Sequence, residues 1–363
     1  MPIVADIWLT RQLCLFTCLE ECLFEPLTDL QKDFIGRLDV LRIEKYVGSE
    51  PPNKRGRTRC DRGSIARAFV AKALYTIPTT KRLRQMLLEQ PVLRMLCGWE
   101  RRTHVPSEAT FSRAFAAFAA AQLGDTVHAS LVRHYVGDSP IMHLSRDATE
   151  FAAREKPAPR LPKEQRPKRP RSRIAKDGTV LEQTRVEIQY DQTADQAWKE
   201  LPRVCDVVKK KNSQGNLHTL IGYKLHIDWA DGIIPIQVCI TSASVHDSQV
   251  AIPLARKTAE RVTVFYELMD QAYDAPAIHK AIADLGHVPV IDRQRNRAKY
   301  VPLDEAKTRR FMQRTNAERG NSLLRDCYGL THLRVRSSSK ALLHAMFGVL
   351  ALFAGQIVKP VTS

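Results

Sequence analysis

Acidic side chains are scarce in this chain. Asp and Glu number 39 against 56 Lys and Arg, a formal net charge of +17 with a pI near 9.7. Such an imbalance argues against an acidic partner-binding surface and points to a polyanionic partner, nucleic acid being the commonest. The bland alternative is a basic protein with no such partner. Paired cysteines are also missing. Eight cysteines are scattered without a C-x-x-C pair, so free thiols in a reducing cytoplasm are expected, with no signal peptide. Cys14, Cys18 and Cys22 repeat every four residues, but no His or fourth Cys lies nearby, so they read as a small apolar helix stripe and not a metal site. No membrane span is expected either. The most apolar run, LLHAMFGVLALFAGQIV at 342–358, is slightly short and contains His344 and Gln356. It is expected to be a buried helix, and no membrane partner is expected.

What is present falls into two parts. Residues 1–140 read as helical, with apolar residues at helical spacing. WLTRQLCLFTCLEECLF opens the region, and SIARAFVAKALYTI and TKRLRQMLLE follow, the latter bounded by Pro78 and Pro91. After the turn-rich CGWERRTHVPS, a helix is expected to start at Ser107, a plausible N-cap behind Pro106. Two short helices, a turn and a third helix carrying Ser112 and Arg113 suggest a helix-turn-helix-like module, and Arg113 is a candidate DNA contact. Any small helical bundle reads the same way.

From residue 141 the pattern changes. IMHLSRDAT reads as a strand and GYKLHIDWADGIIPIQVCITSAS as a hairpin turning at Asp231-Gly232. SVHDSQVAIPLARKTAERV reads as a helix, TVFYELMD as a strand, DAPAIHKAIADLG as a helix and VPVIDR as a strand, before a last helical region. This order implies an α/β layer with a mixed sheet, antiparallel at the hairpin and reached by helical crossovers afterwards. A basic, Pro-rich insertion interrupts it over about 156–216. Its core, KPAPRLPKEQRPKRPRSRIAK, holds nine Lys/Arg, one Glu and five Pro. It should be extended or disordered, suited to phosphate contacts through Lys168, Arg169 and Arg171 or serving only as a solvated linker.

Three acids stand out. Asp147 ends the first expected strand, Asp270 ends TVFYELMD, and Glu318 lies on the late helix. Strand ends of an open α/β sheet are where sites form. If the two strands are neighbours, both aspartates open onto one edge and Glu318 can complete the set. Three carboxylates facing one point are tolerable when they share hard divalent cations such as Mg2+ or Mn2+, two of which serve an in-line phosphoryl transfer. Glu150, Asp231, Asp247, Asp274 and Asp292 are rivals, with Asp231 better explained by turn chemistry. On a helix, Phe311, Arg314, Glu318 and Arg325 fall within roughly 60° of one another. Taken alone, Glu318 reads as an i,i+4 partner of Arg314, worth about 0.3–0.5 kcal/mol if exposed.

SRDATE, SVHDSQ, LMDQAYD and FMQRTNAERGNSLLR, in that order, resemble the motifs of DDE transposases of bacterial insertion sequences. The last motif of that superfamily runs aromatic, two residues, Arg, three residues, Glu, six residues, Lys. Here it reads Phe311, Arg314, Glu318 and Arg325, with Phe for Tyr and Arg for Lys, and Ala272 stands where the second motif usually has Gly. The N-terminal RGSIARAFVAKAL…VPSEATFSRAF also looks like the start of such proteins. The resemblance implies an RNase H-like mixed sheet flanked by helices over 141–363, preceded by an all-helical, DNA-binding domain over 1–140. It implies Asp147, Asp270 and Glu318 as ligands of two divalent cations, Mg2+ or Mn2+. Arg314 and Arg325 would contact the DNA backbone near the cut. His246 and Asp247, in the SxHDS stretch, read as a buttress of the site.

The expectation is a transposase that binds the terminal inverted repeats of its element, nicks the ends and joins them to target DNA. It would work as a dimer or higher assembly on double-stranded DNA, in the nucleoid-associated cytoplasm. The rivals are a transposase-derived DNA-binding protein without catalysis, a metal-dependent nuclease on the same core, and a basic helical scaffold whose three acids do not converge.

Overall fold

The computed structural model describes residues 26–48, 60–137, 139–159, 182–211, 214–292 and 302–358. The cysteine stripe at 14–22 and the basic side chains Lys168, Arg169 and Arg171 lie outside them. The chain divides into two units, one of residues 137–321 and one of 1–136 with 322–363.

Polar caps start the first helices. In α1 (Asp29–Leu41), Thr28 and Gln31 form a reciprocal capping box, and Asp61 accepts from the Gly63 and Ser64 amides to open α2 (Arg62–Leu74). Thr79 caps α3 (Thr80–Glu89). Pro91 occupies the first turn of α4 (Pro91–Cys97), which stops at Gly98 with φ 104°. As expected, Ser107 caps α5 (Glu108–Ala120), its hydroxyl accepting from the Thr110 amide; α6 (Leu123–Tyr135) follows. α2, α3 and α5 are the helices expected around the turn-rich stretch, whereas α4 is not among them. On α5, Phe111, Ala114, Phe115 and Phe118 are buried while Arg113 is exposed.

The second unit is built on β1 (Ile141–Ala152). After it come α7 (Arg185–Asp191), α8 (Ala194–Lys199), β2 (Asp206–Lys211), β3 (Leu217–Ala230) and β4 (Ile234–Ser242). Then follow α9 (Ser248–Ala259), β5 (Val264–Met269), α10 (Pro276–Asp284), β6 (Val288–Ile291), α11 (Glu305–Phe311) and α12 (Thr315–Asp326). The strands form one six-stranded sheet in the order β2-β3-β1-β5-β6, with β4 on the second half of β3. β1 is antiparallel to β3 and parallel to β5, and β5 is parallel to β6. This is the expected mixed sheet and it is RNase H-like. The β3–β4 hairpin turns through Asp231-Gly232-Ile233, with Gly232 and Ile233 both in the left-handed region.

Two sequence expectations need correction here. β1 does not end at Asp147; it runs on to Ala152 because β3 continues to pair with it, Asp147 opposite Ile227. Nor is the basic, Pro-rich insertion expected over about 156–216 an interruption throughout. Its described residues 185–211 form α7, α8 and β2, and Val186 is buried in a cluster with Ile252, Met269, Tyr273 and Ile282.

The division after residue 140 also differs. The unit boundary falls inside α12, between Asn321 and Ser322, and α13 (Ser338–Val358) belongs with α1–α6. α13 is long and apolar enough to cross a membrane by length and composition, but most of it is buried as the centre of the helical unit. Phe347 packs against Phe69 and Phe115, with ring centroids 5.4 and 6.1 Å apart. The apolar run is thus satisfied by neighbouring helices on every side, as a fully hydrophobic helix must be.

Candidate active site: two sheet aspartates and a helix glutamate

β1 and β5 are adjacent and parallel, and their register ends with Ser145 opposite Leu268. Counting two residues on along each chain brings Asp147 level with Asp270, just past Met269 at the end of β5. Strand alternation puts both on the face of Ser145 and Leu268, opposite to Arg146 and Glu267. Asp270 caps a single 3-10 turn, Gln271–Tyr273, its Oδ1 accepting from the Ala272 amide at 2.8 Å. Ala272 does not adopt a left-handed backbone, so this loop has no need of the glycine usual at that position.

α12 lies over the Asp147 face. A Cβ on Gly320 would lie 2.8 Å from the Trp229 ring, so the glycine lets the helix backbone approach the sheet closely. Asn321 donates from Nδ2 to Asp147 Oδ2 at 3.0 Å. The helical stripe is interrupted. Phe311 ends α11, a 3-10 turn spans Met312–Arg314, and α12 begins at Thr315. The Arg314 guanidinium sits 5.7 Å from the Phe311 ring centre and pairs with Glu318 at 2.5 Å. Glu318 is about half exposed. Arg325 is exposed on the last turn of α12.

Burial pushes the Asp147 carboxyl above its ordinary range. The Ala148 amide, the Arg314 charge and Asn321 oppose that shift, while the Asp270 charge adds to it. Burial raises Asp270 likewise, opposed by the Ala272 amide and Arg314 and reinforced by Asp247. Arg314 is therefore the cation that both aspartates and Glu318 share. Among the described residues, no three His, Cys, Asp or Glu side chains form a group able to hold a metal ion. The two aspartates come together, while Glu318 is engaged by Arg314. The donors nonetheless suit a hard divalent cation. They are carboxylate oxygens, two of them half-buried and destabilised by like charge, and the Asn321 Oδ1 is buried without a partner.

Four of the rival acids are otherwise occupied. Glu150 pairs with Lys210 at 2.6 Å, and Asp231 accepts from the His143 amide at 3.1 Å. Asp274 lies 3.1 Å from His279. Asp292 follows β6, its amide bonded to the Met269 carbonyl. Asp247 accepts from Lys224 Nζ at 2.9 Å; burial works against its ionisation, but the Lys224 charge and hydrogen bond hold its carboxyl below the usual range. His226, itself buried, is pushed down to about 3. Asp247 of the SxHDS stretch is thus held in an ion pair with Lys224, and its charge reaches Asp270. Sequence reasoning missed Asn321, Lys224 and His226. Lys224 and His226 alternate on β3 with Asp228, a polar comb inside an apolar strand that could have flagged them.

The family model for the transposase DDE domain matches residues 147–354, a span that begins at Asp147 and contains Asp270 and Glu318. A second, for a transposase domain (DUF772), matches residues 30–117. A search of the curated proteins finds no match. On these matches and this fold, the chain belongs to the DDE transposases of insertion elements.

Proposed function

We propose that this chain binds the terminal inverted repeats of its element and catalyses DNA strand cleavage and strand transfer at the Asp147 site. The observation that carries the reading is the register that sets Asp147 level with Asp270 on adjacent parallel strands, both raised by burial. Asp147, Asp270 and Glu318 would hold two divalent cations, Mg2+ or Mn2+. Such ions supply activation of the attacking hydroxyl and stabilisation of the leaving oxygen in an in-line phosphoryl transfer.

The chain's own residues do the rest. Asp147 and Asp270 are fixed by backbone, one within a strand and one as the cap of a turn. Arg314, with its planar guanidinium, is suited to a DNA phosphate, and on meeting one it would release Glu318 to face the aspartates. Arg325 extends the same helix toward the backbone. Arg113 on α5, within residues 1–140, and Lys168, Arg169 and Arg171 in the basic segment would add phosphate contacts. Joining two ends calls for a dimer or higher assembly on double-stranded DNA, in the nucleoid-associated cytoplasm.

The test is cleavage of DNA carrying the element's end in Mg2+ or Mn2+. Wild-type protein should yield nicked and joined products, and Glu318→Gln should yield neither. Cutting without joining would favour a nuclease, and binding without cutting a DNA-binding protein that has lost catalysis.

A further inference from the structure

Asn321 belongs to no motif by which the site is recognised. It lies three residues after Glu318, one turn along the same face of α12. Its side chain is 4% exposed. Its Nδ2 donates to Asp147 Oδ2 at 3.0 Å, and its Oδ1 is buried without a hydrogen-bond partner in the protein. A buried amide oxygen left unpaired costs about 1–3 kcal/mol, so an asparagine here demands an explanation that packing does not give. Leucine branches at the same carbon and would carry no such cost.

We propose that Asn321 is a positioning residue of the reaction. It fixes the Asp147 carboxylate in one rotamer and, through the same bond, sets the rotation of α12 against β1. Gly320 against Trp229 sets how close the helix comes; Asn321 against Asp147 sets which way it faces. Glu318 projects from the adjoining turn, so one hydrogen bond ties the strand-borne acid to the helix-borne one. The bond spans 174 residues of sequence and reaches Asp147 only through its second carboxylate oxygen. Asp147 Oδ1 takes no part in it. Outer partners of this kind typically govern metal affinity or activity by about 10- to 100-fold.

The inference rests on the reading of Asp147 as a metal ligand, and a double-mutant cycle separates the two. Mn2+ affinity of the DNA-free protein is measured by electron paramagnetic resonance for wild type, Asp147→Asn, Asn321→Leu and the double variant. Asn321→Leu should weaken Mn2+ binding by about 10- to 100-fold. In the Asp147→Asn background it should add nothing, because its partner carboxylate is already gone. It should also lower the kcat of end cleavage while leaving the Kd for end DNA without divalent metal unchanged. Asn321→Ser, which removes the amide without adding an apolar group, should behave alike and guards against misfolding of the leucine variant. If Asp147→Asn weakens Mn2+ binding while both Asn321 variants stay within twofold of wild type, or if the losses simply add, Asn321 has no positioning role. If Asp147→Asn leaves Mn2+ binding untouched, the ligand reading falls and this inference falls with it.

Discussion

Neighbouring residues on β1, Arg146 and Asp147, look onto opposite faces of the sheet, and the two faces treat charge differently. On the Arg146 face the charges are closed off. Its guanidinium donates to both Asp228 oxygens at 2.7 and 2.8 Å and lies 3.0 Å from Glu267. Thr258 adds a bond to Asp228 at 2.6 Å, and His287 one to Glu267 at 2.7 Å. Although burial opposes it, Arg146 and His287 hold the Glu267 carboxyl below its usual range. On the Asp147 face, two half-buried carboxyls are raised and share one arginine that is bound to a third acid. A closed network serves the fold, and an under-compensated one is open to an incoming cation. Fully buried Asp228 is raised too, so a raised carboxyl does not by itself separate the faces; the hydrogen bonds that Arg146 and Thr258 give to Asp228 do.

The sharpest break of this contrast is Arg146→Met, which leaves Asp228 and Glu267 buried without their cation. Urea unfolding should show a loss of about 3–5 kcal/mol. Asp147→Asn, one residue away, should leave stability unchanged or raised, because it removes a carboxylate whose ionisation the fold opposes. Equal losses for the two variants would erase the distinction.

Next in size is Gly320→Ala. Its methyl group would meet the fully buried Trp229 ring, and either the helix or the ring must yield. Denaturation should report about 1–3 kcal/mol of destabilisation. DNA cleavage should fall further than stability predicts, since the displaced helix carries Glu318.

Proton linkage gives a smaller and signed difference. The folded pKa values of Asp147 and Asp270 lie above the unfolded ones, so between the two the native state binds more protons. Their contribution to stability is therefore present at low pH and is lost as pH rises from about 4 through the raised values. Glu267 and Asp247 act in the opposite sense, losing their contribution as pH falls through their depressed values. Melting temperatures recorded against pH should show Asp147→Asn gaining on wild type as pH rises through that window. A difference that is flat with pH would mean Asp147 is not perturbed.

The smallest stability effect belongs to Arg314→Gln. Glu318 is about half exposed, so losing this pair should change unfolding by no more than about 1 kcal/mol. Cleavage should nevertheless drop, and only such a split sets Arg314 apart from an ordinary surface pair.

Much of this was legible beforehand. The hairpin at Asp231-Gly232, the parallel arrival of β5 and β6, and the Ser107 cap each rest on local chemistry that a sequence carries openly. The length of β1 was not legible, because what prolongs it is pairing with β3, more than seventy residues away. α7 and α8 were obscured by the basic run before them. Yet Thr184 with Glu187 and Thr193 with Gln196 are capping boxes, visible as a threonine followed three residues later by Glu or Gln. Asn321 was beyond reach for a different reason. A lone asparagine in a polar helix has no pattern, and only its bond to a distant strand gives it meaning. Lys224 and Asp247 lie between these cases, suggestive in sequence but tied together only by folding.

The register of β1 and β5 has a further consequence. Adjacent strands are held about 4.8 Å apart by their hydrogen-bond pitch, whatever the side chains. The spacing of the two aspartates is thus a property of the sheet, as invariant as the rungs of a ladder. The glutamate rides on a helix whose place is set by side chains, Gly320 against Trp229 and Asn321 against Asp147. In mechanical terms the site is a vice with one jaw cut into the frame and one bolted on. Mutation can reset the bolted jaw without altering the gauge to which the other was cut.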